Sequence, residues 1–339
     1  MKKQAWRGMG LLSMALALML GACSNNAGGG QTKASGSPAA AAGANGGETK
    51  LQKIRYAAFS GVSGLAVNYG AEKGFFKEEG LDVEFITTQN PVESLTSKDV
   101  DIADIATTTA IIAAGKGAPI KIVASMFRTK GPFYLVAAPG INSVEELKGK
   151  KVGAAAFGSG LDVYTQVILK KHGLSKTDVT YLANGANDAA YASLTSGQVD
   201  ATIIHEPFAS LVEQNGKGKI LAKGWDYLPT FHTGILASSN DFIAKKPELI
   251  EKLLRAYLKS QEYAKSHPDE YKAYFLTKIK VDPAALDKAF ERERALWENN
   301  PDVDRKALQD TQQVQLELGL QDKIYDTDKI LDLRFIPKK

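Results

Sequence analysis

The sequence predicts an α/β fold of two similar lobes, and three internal matches predict it. SLTSKDVDIA (94–103) returns as SLTSGQVDAT (193–202). AAFSGVSGLAV (57–67) returns, two residues shorter, as AAFGSGLDV (155–163), and GLDVEF (80–85) has its counterpart in GLSKTDVTY (173–181). All three fall in the same order. The unit of strand, AAF loop, helix, strand, helix, SLTS turn, strand and loop is therefore used twice, and such repetition marks a duplicated building block. Strands alternating with helical segments favour parallel sheets with helices on both faces.

In chain order, 53–59 (KIRYAAF) reads as the first strand. A helix at 64–74 follows, with 77–80 as its exit turn. Then come a strand at 81–87, a short helix at 91–96 and a strand at 100–106 that opens into Thr107, Thr108 and Thr109. A helix at 109–115 is stopped by Gly115 and Gly117. Strands are expected at 120–125 and 133–138. Ser143 to Gly149 combine a capping-box-like start, a short helix and a glycine stop. The second copy opens at 151–157. Beyond Pro207 the pattern predicts a helix at 208–214, a strand at 219–222, a loop carrying Trp225, Tyr227, Phe231 and His232, and a strand at 234–238 that returns to the first lobe. From Pro247 the chain reads as helical, with Leu249, Leu253, Leu254, Tyr257 and Leu258 at helical spacing. Further helices are expected at 283–297 and 304–318, and 330–335 packs back on the body. Two crossings, near 134–139 and 231–236, then join the lobes. The first lobe would comprise 51–135 and 234–339, the second 136–233, with a hinge and a cleft between them.

Hydrophobic residues make up 44% of the chain and charged residues 24%, as in ordinary globular proteins. The formal net charge is +4, but Lys2, Lys3 and Arg7 lie in the first 22 residues, which hold no acid. The near-neutral remainder has no electrostatic footprint for nucleic acid and no polybasic membrane patch. A short basic start precedes an apolar run at 10–20 that is too short to span a bilayer, which is the layout of a secretory signal peptide. The run ends in Leu20-Gly21-Ala22-Cys23, which resembles the lipobox of bacterial lipoproteins. That resemblance implies removal of 1–22 and lipidation of Cys23, the single cysteine. Residues 24–50 are rich in Gly, Ala, Ser and Asn, bury too little apolar surface to fold, and are expected to be a flexible tether. The expected location is outside the cytoplasm, lipid-anchored to the membrane.

In open parallel sheets ligands sit beyond the carboxyl ends of the strands. Four loops occupy that place here: 59–63, 107–109, 157–160 and 205–207. Each precedes a predicted helix, whose unpaired N–H groups favour oxyanions. Ser60, Ser63, Thr107, Thr108 and Ser159 add hydroxyls, while Gly158 and Gly160 allow close backbone approach. Phe59 and Phe157 hold matched places and would flank an apolar or flat ligand. Glu206 would accept a ligand N–H or bond across the hinge. The loops contain no Arg or Lys; the nearest in sequence are Arg128, Lys130 and Lys223. His205, His232 and Glu206 lack the short spacing of a metal site, and His172 and His267 stand at helix exits. The chain holds no G-x-S-x-G elbow, Walker loop, H-E-x-x-H or dinucleotide fingerprint. Neither enzymatic activity nor a cofactor or metal is expected.

AEKGFFKEEGLDVEF (71–85), SLTSKDVDIA, ELKGKKVG (146–153), SLTSGQVDATIIHEPFAS (193–210) and SNDFIAKKPELIEKLLRAY (239–257) together resemble the solute-binding proteins of ABC importers for nitrate, aliphatic sulfonates and taurine, which share a fold with binders of thiamine-pyrimidine precursors. The resemblance covers nearly everything after residue 50. It implies a two-lobed type II periplasmic-binding fold that closes on a small-molecule ligand, a monomer, and delivery to an ABC permease in the membrane. It separates ligands poorly. A small organic sulfonate with an amino end, such as taurine, suits the anion-favouring loops, the aromatics and Glu206 together; a pyrimidine suits the last two. A cytosolic pyrimidine synthase that resembles these lobes, and a sensor that presents ligand to a receptor, are the rival functions.

Overall fold

A computed structural model of the chain describes residues 50–127 and 130–338. The expected signal peptide, Cys23, the tether up to residue 49, and Arg128 lie outside the described residues.

The described chain opens with β1 (Gln52–Ala57), α1 (Leu65–Glu72), α2 (Phe75–Glu78), β2 (Leu81–Phe85), α3 (Pro91–Thr96), β3 (Ile102–Ala106), α4 (Thr107–Gly115) and β4 (Ile120–Phe127). There follow β5 (Phe133–Ala137), β6 (Lys151–Gly153), α5 (Gly160–Lys171), β7 (Thr180–Leu182), α6 (Asp188–Thr195), β8 (Ala201–His205), α7 (Phe208–Gln214), β9 (Lys219–Lys223) and α8 (Gly224–Tyr227). The chain ends with β10 (Gly234–Ser239), α9 (Asn240–Lys245), α10 (Pro247–Ser266), α11 (Pro268–Lys278), α12 (Pro283–Arg294), α13 (Arg305–Glu317) and α14 (Thr327–Ile330). Where an exit turn was expected after the first helix, Gly74 takes φ 88° and starts the short α2. The threonine run is not a loop: α4 begins at Thr107.

Two five-stranded sheets result, in the orders β2-β1-β3-β10-β4 and β7-β6-β8-β5-β9. In each, three strands of one copy run parallel. The fourth runs antiparallel to both its neighbours. That fourth strand is the crossing strand: β5 carries the chain into the second sheet and β10 carries it back to the first. The crossings therefore fall between β4 and β5 and between α8 and β10. The boundary placed at 135/136 cuts through β5, which pairs with His205 from Phe133 onward and belongs wholly to the second sheet.

The repeated stretch is scaffold. Asp101 accepts the backbone N–H of Arg55 at 2.8 Å, and Asp200 accepts that of Lys151 at 2.8 Å, so each copy uses its Asp to hold the start of the neighbouring parallel strand. The SLTS turn is made the same way twice: the carbonyl of Ser94 accepts from Asp99 and Val100, that of Ser193 from Gln198 and Val199. The turn residue is left-handed in both copies, Lys98 at φ 68° and Gly197 at φ 76°.

Both faces of both sheets are covered. Ile54, Tyr56, Ile102 and Leu236 face α10, whose Leu249, Leu253, Leu254 and Tyr257 are buried. Ala103, Ile105, Ile235 and Ala237 face the opposite side, toward Ile111 and Leu308. In the second sheet Phe133, Leu135 and Ile203 face α5, and Tyr134, Val136 and Ile204 face α6 and α7. Each large side chain buried this way contributes about 1.5–3 kcal/mol, which is why strands that alternate between two apolar faces read as continuous apolar runs.

The C-terminal segment does not stay with the first sheet. α11 packs on α1 through Tyr271, Tyr274 and Phe275. α12, by contrast, is ionically tied to α7 of the second lobe, where Lys288 and Arg292 both meet Glu213. α13 lies between the two cores: Leu308 packs with the first, Val314 and Leu318 against the second.

Candidate functional site

Phe59, the last residue of the AAF stretch that leaves β1, stands between two cavities at the carboxyl ends of the strands. On one side is an apolar space of about 90 Å³. The first lobe lines it with Phe59, Ile105, Ala106 and Met126, the second with Phe133, Ser159, Gly160, Leu161, Tyr164 and Phe231. The N-terminus of α5 edges this space. Ser159 caps the helix, its Oγ accepting the Asp162 N–H at 3.3 Å. Asp162 in turn accepts the Gly158 N–H at 2.7 Å and the Tyr181 hydroxyl at 2.6 Å. The Tyr164 hydroxyl is buried with no hydrogen-bond partner among the described residues.

On the other side of Phe59 lies a polar cavity of about 370 Å³. Ser60, Asn68, Thr87, Thr88, Gln89, Asp104 and Asn187 supply its polar groups. Asp104, on β3, accepts the Tyr56 hydroxyl at 2.6 Å and the Phe59 N–H at 2.7 Å. Burial pushes its carboxyl up to about 7, against those two hydrogen bonds, which favour the charged form. The two lobes touch here: the Asn187 side-chain amide donates to Ser60 Oγ at 2.9 Å. Asn187 stands at the N-cap of α6 with φ 55° yet does not cap it. Its side chain crosses the cleft instead, and its Oδ1 is buried with no partner among the described residues.

Of the residues singled out from sequence, Phe59, Ser60, Ser159 and Gly160 come together at these cavities. The others do not. Ser63 is buried against α10, its carbonyl accepting from Gln261 at 3.1 Å. Thr107 is buried in a bond with His232 Nδ1 at 3.0 Å, and His232 Nε2 lies 3.3 Å from Ser125. Thr108 is equally buried, its carbonyl accepting from Gln315 at 3.4 Å. Both threonines fall inside α4 because that helix starts earlier than the pattern suggested. Phe157 does not mirror Phe59: it is 62% exposed and stacked on Tyr181 at 5.9 Å. Positive φ at Ala155 and Gly158 turns the shorter second loop outward.

Glu206, expected either to accept a ligand N–H or to bond across the hinge, makes its bonds within the protein. It is fully buried and accepts from the Ser210 N–H at 2.8 Å, the Ser210 hydroxyl at 2.9 Å and Arg292 at 3.1 Å. Burial raises its affinity for a proton, and Ser210 and Arg292 oppose that. His205 next to it is tilted against Phe59 with ring centroids 5.4 Å apart, and burial pushes its imidazole toward the neutral form. His205 and His232 thus face different partners, and among the described residues no group of three His, Cys, Asp or Glu is placed to hold a metal.

Met126, Phe133, Tyr164, Asp104 and Asn187 were not anticipated. Four of them sit on strands or inside a helix, where apolar patterning marks them as core. Asn187 stands just before α6, in a stretch for which no site was expected.

The family model described as NMT1/THI5 like matches residues 65–271. A Bacillus subtilis (strain 168) relative named as an aliphatic sulfonates-binding protein is 28% identical over 305 residues, covering 87% of this chain and 90% of its own length. A second B. subtilis protein, named as the binding protein YtlA, is 31% identical over 273 residues, covering 75% and 79%. Among solved structures, the alkanesulfonate-binding protein SsuA from Xanthomonas axonopodis pv. citri, bound to MOPS, superposes with a TM-score of 0.70 at 18% identity over 84% of this chain and 98% of that one. The last is a likeness of fold.

Proposed function

The chain belongs to the NMT1/THI5-like family, and from that premise we propose that it is the extracytoplasmic solute-binding component of an ABC importer, which closes on a small organic sulfonate and delivers it to a membrane permease. The cavity between the lobes carries this assignment. Its apolar chamber offers the α5 N-terminus and Ser159 as donors around an alkyl-sized space. Donors without a fixed cation suit an anion whose charge is spread over several oxygens. The second reading, a heteroaromatic of the thiamine-pyrimidine type, is favoured by the acceptors in the polar cavity and the flanking Phe59.

The same assignment includes export, lipid attachment at Cys23 and a monomer held near its permease. Nitrate, lacking an apolar part, would leave most of the chamber unused.

Calorimetry with ethanesulfonate, taurine, nitrate and 4-amino-2-methylpyrimidine separates the two readings. Sulfonate binding is the expected result, and binding of the pyrimidine alone overturns it. Turnover of a bound candidate would favour a synthase-like enzyme, and loss of a cellular response with uptake intact would favour a sensor. Cys23→Ala is expected to move the folded body to the soluble fraction; a variant that still pellets with salt-washed membranes rules out the lipid anchor.

A further inference from the structure

The two chambers on either side of Phe59 have opposite chemistry. One presents donors at the start of α5. The other presents acceptors, and among the described residues lining it none is Lys, Arg or His. Two of those acceptors are incompletely used. The Asp104 carboxylate, 9% exposed, has lone pairs for about four hydrogen bonds and accepts two, from Tyr56 and Phe59. The Asn187 Oδ1 accepts none. Asp104 comes from the first lobe and Asn187 from the second, and both line the same 370 Å³ space. Leaving buried acceptors unpaired is costly, and a ligand that donates to them recovers that cost on binding.

We propose that this polar cavity is a subsite for a nitrogen that donates hydrogen bonds, an ammonium or an amino group, held between Asp104 and Asn187. This rests on reading the cleft as a solute-binding site. The ligand then has an oxygen-rich anionic or flat apolar part in the α5 chamber, passes the edge of Phe59, and ends in an N–H donor. Because the two acceptors belong to different lobes, the nitrogen bridges the cleft beside the bond from Asn187 to Ser60, so the amino end of the ligand is recognised in the closed form. An ordinary alkane sulfonate fills one chamber and leaves both acceptors unpaired. The energy balance therefore discriminates against it.

The test is calorimetry on the whole exported body at pH 8 with three probes: ethanesulfonate, its amino counterpart taurine, and 4-amino-2-methylpyrimidine. Wild type is expected to bind taurine tighter than ethanesulfonate by about tenfold or more, the worth of one charge-assisted hydrogen bond. Asp104→Asn is expected to abolish that advantage, bringing the ratio of taurine to ethanesulfonate affinity down to about one. Asn187→Gly, which keeps the left-handed backbone without strain, is expected to reduce the advantage severalfold; it carries the test if Asp104→Asn fails to fold. Equal affinity for the sulfonate pair in wild type overturns the subsite while the sulfonate assignment stands. If only the pyrimidine binds, the sulfonate assignment falls, and the subsite stands or falls on whether both variants weaken that ligand.

Discussion

Arg292 reaches the fully buried Glu206 at 3.1 Å, and with that contact a C-terminal helix takes hold of the second lobe. The same guanidinium meets Glu213 near the end of α7, and Gln214 donates to Asp282 at 2.7 Å at the other end of α12. The hinge is therefore not two bare crossings. α12 bridges the lobes: Lys288 and Arg292 meet Glu213 of α7, while Leu286, Ala289 and Phe290 pack with Val62, Tyr69 and Tyr271 on the side of the first lobe. Glu293, beside Arg292, is buried too, and burial together with the charge of Glu206 holds it protonated well above the ordinary carboxylate range. Removing Arg292 leaves Glu206 in the interior without its cation, held by Ser210 alone. Arg292→Ala should cost roughly 3 kcal/mol in denaturant unfolding, whereas Glu293→Gln, which replaces a neutral acid by a neutral amide, should change stability by less than about 1 kcal/mol. Equal costs would mean that Arg292 acts through packing alone.

The bond from Asn187 to Ser60 joins the two lobes across the cleft. Ser60→Ala removes it and nothing else of size. A neutral hydrogen bond contributes about 0.5–1.5 kcal/mol, so the dissociation rate of bound ligand should rise about threefold to tenfold while the association rate stays within about twofold. Stopped-flow displacement reads both. An unchanged dissociation rate would show that the contact forms only in passing.

The repeat made the fold legible, because scaffold is what repeats. Asp101, Asp200 and the two SLTS turns recur since both sheets need the same strand start and the same helix exit, and the repeat ordered six strands, three in each sheet. The crossing strands escaped exact placement: β5 and β10 belong to neither copy of the repeat, and an apolar run such as Phe133 to Ala137 reads alike in either sheet. The site was half legible for the converse reason. Ser60, Ser159 and Gly160 stand in loops after strands, where position alone implies exposure to the cleft. Thr107, Thr108 and Glu206 stand in equivalent places, but α4 winds from Thr107 and α12 supplies a cation to Glu206 from 86 residues away. No local pattern carries that distance. Asp104 was hidden by its neighbours, since an acid flanked by Ala103 and Ile105 in a buried strand gives no sign of facing a cavity.

Asp104 also sets a pH dependence. Its carboxyl titrates at about 7 in the folded chain against an ordinary value of 3.8. Through that window the folded state holds a proton that the unfolded state has released. The stabilisation is complete below about pH 4 and is lost as pH rises through about 7. Tyr56 and Tyr257, the titratable groups that face it, are pushed by burial well above their ordinary range and stay neutral throughout. The stability difference between wild type and Asp104→Asn should therefore fall from pH 4 to pH 7 with a slope of up to about 1.4 kcal/mol per pH unit. A difference that is flat with pH would place the carboxyl in contact with solvent.

Asp101 and Asp200 hold equivalent places in the two sheets but do unequal work, and that asymmetry is measurable. Each accepts one backbone N–H at 2.8 Å, from Arg55 and Lys151 respectively. Asp101 in addition takes both arms of the Arg55 guanidinium, Nε at 3.2 Å and Nη2 at 2.7 Å, with its own side chain largely buried. Asp200 has no counterpart to this, because the residue facing it is Lys151, whose exposed side chain makes no bond to it in the structure. Asp200→Ala should thus cost about 1 kcal/mol, the worth of one hydrogen bond, and Asp101→Ala about 2–3 kcal/mol, since it also leaves a half-buried guanidinium without its bidentate partner. Adding Arg55→Ala to Asp101→Ala should recover part of the loss, because the orphaned charge is then gone, while the same change beside Asp200→Ala should simply add. Denaturant melts of the four variants decide it: equal costs at the two positions would mean that the backbone bond carries the whole effect and that the guanidinium is held as well by water.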